Sequence, residues 1–316
     1  MKPRLSAIVL APEGLAPLVP LLHHLRAQGL EHELEVVLVV PQMNQPAILR
    51  ELERNKQELN VHVVSVASCR PTGPAVAAGM LAASAELVVQ CEDHSFPQPG
   101  WAKALLQAHQ GPWAAVGPAV ENANPGPISW ADFLLSFLHW YQPPRGEAPA
   151  LAGHNCSYKK NVLVAQPDLG STLQSEMVFH HQLRDQGQHL FLEPGARVRH
   201  YNLSVATAFL DHKWLGGRIF ASHRARLWPL WRRMLYAAAF PLVPVLRLHR
   251  ILATLKLRPT PPLPTTTWAW LLLGLLLHAA GEAVGYLVGS LGCETAYAEY
   301  ELRRFQHLAP GDLPAP

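Results

Sequence analysis

The stretch LVVQCEDHSFPQPGW, residues 87–101, places three potential metal ligands at the end of an apolar run. Leu87, Val88 and Val89 read as the body of a buried strand. Glu92, Asp93 and His94 follow almost at once, and Pro97 to Trp101 reads as a turn. Acids after a strand are often no more than a solvated turn, so the stretch is weighed against its surroundings.

Upstream, strands and helices alternate. LSAIVLA (5–11) reads as a strand, APLVPLLHHLRAQG (16–29) as a helix stopped by Gly29, and ELEVVLVV (33–40) as a second strand. A helix over 46–59, a strand over 61–68, a small-residue helix over 73–85 and a strand over 86–90 follow. Continuous Val/Ile/Leu runs mark strands covered on both faces. Strands alternating with helices imply right-handed crossovers and a mainly parallel α/β sheet. Ligands of such sheets gather at the carboxyl ends of the strands, which is where Glu92–Asp93–His94 falls.

The 316 residues suffice for one large domain or two smaller ones. Charged residues make up 16% and hydrophobic residues 49%, which suggests a globular part plus a part that touches membrane. A formal charge of +3 gives no argument for nucleic acid. Cys69, Cys91, Cys156 and Cys293 lie far apart, so a disulfide framework or zinc knuckle is not expected. The N-terminal apolar run is too short for a signal peptide and reads as the first strand, which places the globular part in the cytoplasm.

Three later segments extend the pattern. PALAGHNCSYKKNVL (149–163) leads small polar residues into a helix. LQSEMVFHHQLRDQG (173–187) is an amphipathic helix with an acid near its start and a stop glycine. HLFLEPGARVRHYN (189–202) reads as a strand, a turn at Pro194–Gly195, and a short strand ending in His200. In this order and spacing, residues 4–220 resemble the inverting family-two glycosyltransferases of the GT-A fold.

That resemblance implies roles. Glu92 and His94 occupy the ends of the family's Asp-x-Asp, which holds a divalent cation against the donor diphosphate. A carboxylate with an imidazole suits Mn²⁺ somewhat better than Mg²⁺. His200 matches a histidine that can also reach the metal, although a packing histidine is an equal reading. Glu176, eleven residues before Gly187, falls where the family keeps the base for the acceptor hydroxyl. The plainer reading is a helix-start carboxylate favoured by the macrodipole. Donor contacts would fall to Pro12, Glu13, Arg70, Gly79, Asp93 and Asn155. The family's acidic pair after the second strand is replaced by Pro41–Asn44, and its Arg-Asn by Ala77–Ala78. A Gln-x-x-Arg-Trp motif of processive synthases is not found, which favours single-sugar transfer.

After residue 225 the character changes. Arginines and tryptophans flank a short apolar core, Met234–Leu246, broken by Pro241 and Pro244. Residues 228–255 read as an interfacial or re-entrant helix pair, RPTPPLP as a stiff linker, and 267–291 as long enough to span a membrane. His278 and Glu282 lie inside that segment, and ionisable groups at membrane depth are costly. Gly281, Gly285 and Gly289 recur every four residues, which permits close helix packing. A buried helix docked on the globular part is the alternative.

The expectation is thus a GT-A domain over 1–225 and a membrane-associated helical tail over 226–316. The chain would transfer one sugar from a nucleotide-sugar donor, UDP-sugar first, to a lipid-linked or membrane-delivered acceptor. The catalytic domain would lie on the cytoplasmic side of the cytoplasmic membrane, in polysaccharide or glycolipid biosynthesis. The rival expectation is a non-catalytic GT-A-like membrane scaffold, to which the altered motifs point.

Overall fold

Runs dominated by Val, Ile and Leu become strands with helices on both faces. A computed structural model describes residues 2–55 and 59–313. Positions 56–58 of the helix expected over 46–59 lie outside the described residues, as do residue 1 and residues 314–316. In chain order the elements begin β1 (Leu5–Leu10), α1 (Val19–Arg26), β2 (Leu34–Pro41), α2 (Gln45–Asn55), β3 (Asn60–Val66), α3 (Thr72–Ala82), β4 (Leu87–Cys91), β5 (Ser95–Pro97) and α4 (Trp101–Ala108). They continue β6 (Ala115–Asn122), α5 (Pro127–Ser136), β7 (Gly146–Glu147), β8 (Ser157–Lys159), α6 (Lys160–Val164), α7 (Leu169–Thr172), α8 (Glu176–Asp185) and β9 (Leu190–His200). The last are α9 (Ala206–Arg224), α10 (Leu230–Ala238), α11 (Leu242–Leu257), α12 (Thr267–Val288) and α13 (Cys293–Leu302). The chain divides into two units, residues 1–121 with 142–199, and residues 122–141 with 200–316.

The first unit is an α/β unit, as expected. Its strands run in the order β3-β2-β1-β4-β8-β6-β9-β5, with β7 beside β9. β3, β2, β1 and β4 are parallel to one another. Leu10 pairs with Val39, Val9 with Cys91 and Pro41 with Val66, so the four strands end at one level. β1 and β2 are buried almost throughout. β3 is half-exposed because it is the edge strand. α3 lies on this half through Gly79, where a methyl group would strike Ile8 and Val39 at 2.5 and 2.6 Å.

Beyond β4 the sheet turns antiparallel. β8 runs against both β4 and β6, and β7 against β9. One expectation is corrected here: residues 190–200 form a single eleven-residue strand, not two strands around a turn. The Glu193 carboxylate accepts the Gly195 N–H at 3.0 Å and a bond from Arg145 at 2.8 Å, which keeps Pro194–Gly195 extended within the sheet.

The second unit is helical. The central pair is α9 and α12, which meet at glycines. A methyl on Gly217 would run into the backbone of His278, and methyls on Gly281 and Gly285 into the carbonyls of Trp214 and Arg218. Small residues on both helices let the backbones touch. Gly289 instead closes α12 with a φ of +79°. The ionisable groups inside α12 are paired: His278 lies 3.0 Å from Glu282, and Arg247 of α11 lies 2.9 Å from His278. α9, placed by sequence before residue 225, packs within this unit.

Candidate functional site

The parallel half presents its carboxyl ends on one side. Pro12 and Glu13 follow β1, Arg70 follows β3 and Glu92 follows β4. Asn44, in the loop after β2, donates its amide to the Pro12 carbonyl at 2.7 Å and ties the first two loops together.

The tip after β4 is a tight turn in which Ser95 N–H bonds the Glu92 carbonyl at 3.1 Å. Within it the buried His94 directs Nδ1 at Asp93 Oδ1, 2.7 Å away. A carboxylate there accepts a hydrogen bond from Nδ1–H, which leaves the lone pair on Nε2. Nε2 lies 3.3 Å from Glu92 Oε2. Asp93, expected as a donor contact, therefore orients His94, the usual place of a carboxylate behind a ligating imidazole.

A second imidazole, absent from the sequence expectations, reaches the same oxygen. His154 is buried, with Nδ1 3.8 Å from Glu92 Oε2. Strand pairing puts it there. Ser157 sits opposite Val89 in an antiparallel ladder, so counting back along the chain sets Asn155 beside Cys91 and His154 beside Glu92. Asn155 has a φ of +53°, a left-handed conformation that asparagine tolerates. Its N–H donates to the Gln90 carbonyl at 2.7 Å, and its side-chain amide to Ser95 Oγ at 2.8 Å. The turn is thus fastened to the acidic tip on both sides, and Asn155, expected at the donor, is fully buried in that task. Gly79, also expected at the donor, is occupied with helix–sheet packing.

Glu176 is the first residue of α8 and half-buried. A methyl on Gly153 would come within 2.8 Å of its carboxyl carbon and 3.0 Å of Oε2, so the Glu176 carboxylate lies against the residue before His154. Phe179 and Leu183 anchor the apolar face of α8 in the core. Beside them His180 accepts Leu151 N–H on Nδ1 and meets the Tyr158 hydroxyl with Nε2 at 2.8 Å. Burial, and secondarily His181, holds its imidazole down at about 3.

His200 ends β9 and is buried. Its Nδ1 donates to Asn202 Oδ1 at 2.9 Å, an orientation fixed because the Asn202 amide donates to Asn122 Oδ1 and to the His200 carbonyl. The lone pair of His200 therefore sits on Nε2.

No family model and no curated protein matches the chain. It is similar in fold to solved glycosyltransferase structures. GalNAc-T7 with UDP, GalNAc and Mn²⁺ is 14% identical over 64% of this chain and 44% of that one, with a TM-score of 0.48. Staphylococcus aureus TarS, residues 1–349, with UDP-GlcNAc is 14% identical over 64% and 59%, with a TM-score of 0.46. The Pyrobaculum calidifontis mannosyltransferase PcManGT with GDP-Man and Mn²⁺ is 16% identical over 98% and 77%, with a TM-score of 0.48. The chain spans less than two thirds of the length of the first two.

Proposed function

We propose that the chain is a GT-A glycosyltransferase that uses a nucleotide-sugar donor and a divalent cation. The observation that carries this is the convergence of His94 and His154 on Glu92, with the Glu176 carboxylate against Gly153, beyond the carboxyl end of a parallel strand. An oxygen and imidazole nitrogens on a rigid tip suit Mn²⁺ and accept Mg²⁺ less well.

Glu92 and His94 would hold the ion; His200, the third ligand named from sequence, is the first residue of the second unit's 200–316 segment. Bound there, the ion would neutralise charge on the departing diphosphate. Asp93 keeps the His94 lone pair on Nε2. Asn155 fastens the tip from both sides, which holds Glu92 in place without a flexible loop. Glu176 takes the proton of the acceptor hydroxyl as the sugar is transferred, and a base opposite the leaving group gives inversion. Glu13 and Arg70 are the polar groups at the nucleotide end of the strand tips.

The acceptor is proposed to be lipid-linked or delivered at the cytoplasmic face of the cytoplasmic membrane, within polysaccharide or glycolipid biosynthesis. The second unit supports this. α12 has the length and apolarity of a membrane span, and α10 and α11 form a helix pair bent by 64°. α10, α11 and the outer side of α12 leave Trp231, Met234, Leu246 and Leu276 exposed.

The direct test is a thermal-shift screen of UDP- and GDP-sugars, with and without Mn²⁺, on the detergent-solubilised full chain. A ligand that binds only the folded state raises its stability. A rise for at least one nucleotide sugar that needs Mn²⁺ supports the enzyme. No rise for any of them favours the non-catalytic scaffold.

A further inference from the structure

We infer that the corner between α9 and α10 is a headgroup site for anionic phospholipid, which anchors the second unit on a membrane surface. This rests on the membrane reading above and adds a ligand and residues to it.

The first support is charge. No Asp or Glu lies between Asp211 and Glu282, whereas Arg224, Arg226, Arg232 and Arg233 crowd the corner. So one-sided a stretch attracts an anionic leaflet, and each basic side chain near the surface adds to the attraction.

The second is the arrangement of the guanidiniums. Arg232 lies 3.9 Å above the Trp228 ring, and Arg224 lies 5.3 Å from the same ring and 5.2 Å from that of Tyr236. Two cations thus share one indole, and among the described residues neither is paired with a carboxylate. A guanidinium over an aromatic ring keeps N–H groups that the ring does not use, and these can grip a phosphate in fork geometry. The platform beneath is rigid. Trp228 stacks on Tyr286 of α12 with ring planes 7° apart, and Arg224 donates to the Tyr286 hydroxyl at 3.1 Å. Arg233 donates to the Tyr286 carbonyl at 2.6 Å and pins α10 to α12.

The third is the apolar rim. Leu227, Leu230 and Trp231 are 92%, 63% and 67% exposed. Water alone gives no reason for three large apolar side chains to stand out beside four arginines. A bilayer boundary satisfies both, with apolar groups among the acyl chains and guanidiniums at the phosphates.

The test is co-sedimentation of the purified full chain with vesicles of phosphatidylcholine alone and of phosphatidylcholine with phosphatidylglycerol. Wild type is expected to prefer the phosphatidylglycerol vesicles. The double variant Arg224→Gln/Arg232→Gln is expected to lose roughly thirtyfold in that preference, on the effect of two basic residues at a charged surface. Arg224→Lys/Arg232→Lys keeps the charge but loses the fork, so its preference should fall between wild type and the Gln variant, which separates headgroup binding from damage to the aromatic platform. Inorganic phosphate should not release bound protein. Equal binding to both vesicle types, an undiminished preference in the Gln variant, or release by free phosphate overturns the inference. The same preparations are assayed for nucleotide-sugar binding in detergent. Donor binding without lipid preference overturns only the headgroup site, and lipid preference without donor binding overturns only the transferase.

Discussion

Nε2 of His94 lies 3.3 Å from Oε2 of Glu92, with Asp93 holding the far side of the ring. The three residues are consecutive, yet in the proposed site they would divide the work between ligand, orienting acid and ligand. Asp93→Asn keeps the size of the side chain but weakens its hold on the Nδ1 proton. Mn²⁺ affinity is expected to fall by roughly 10–100-fold, the range for a residue behind a metal-ligating histidine. Titration with Mn²⁺ followed by paramagnetic resonance reads this directly, and unchanged affinity contradicts the assigned role.

Gly153 leaves the Glu176 carboxylate its place. Gly153→Ala should displace that carboxylate at little expense in stability, because the struck group is the end of a flexible side chain. Glu176→Gln removes the basic oxygen and keeps the shape. Both variants are expected to lower turnover, the second by roughly 10²–10⁴-fold, with melting temperature and donor affinity nearly unchanged. Were Glu176→Gln as fast as wild type, Glu176 would not be the base.

His180 and His109 make the first unit sensitive to acid. Burial holds His180 down at about 3, and burial with the Lys159 charge holds His109 down at about 4. The unfolded chain takes up these protons near pH 6.5 and the folded chain does not. Stability contributed by the neutral forms is therefore full above about pH 6.5 and declines as pH falls towards about 4 and then 3. The melting temperature should drop steadily between about pH 7 and about pH 4. A flat profile across that window contradicts the burial of neutral histidines.

The α9–α12 contact has no room for a side chain. Gly217→Ala sets a methyl against the backbone of His278, which cannot rotate away. Overpacking of this kind costs roughly 1–3 kcal/mol. Denaturant unfolding of the solubilised protein should show the loss, whereas Gly311→Ala, with open space around it, should not.

The parallel half was readable because ELEVVLVV and LVVQC are dominated by Val and Leu, with Glu35 and Gln90 the polar residues inside their strands, and are followed by turn signals. The acidic tip was readable for the same reason: a strand that ends at Cys91 fixes where Glu92 must emerge. β7 and β8 have two and three residues, too short to carry a period. His154 was missed on that account, since only the antiparallel insertion of β8 brings it to Glu92. The GHN that precedes a short strand was its one visible sign. Pro194–Gly195 reads as a turn in isolation, but it stays extended within β9, where the Glu193 carboxylate accepts the Gly195 N–H. The four-residue glycine spacing held for Gly281 and Gly285 and failed at Gly289, where a helix end needs a left-handed residue. The partner helix carries the matching spacing, Gly217 and Ala221, but it lies before residue 225, in the part that reads as the α/β domain.

The central claim is that the tip after β4 binds a nucleotide-sugar diphosphate through a divalent cation. Calorimetric titration of UDP-sugars and GDP-sugars into the full chain, with Mn²⁺ and with EDTA, tests it, and Glu92→Ala runs beside wild type. The account predicts saturable binding of one donor in Mn²⁺, none in EDTA, and none by a Glu92→Ala protein that melts within a few degrees of wild type. Equal donor binding in EDTA, or by Glu92→Ala in Mn²⁺, contradicts it.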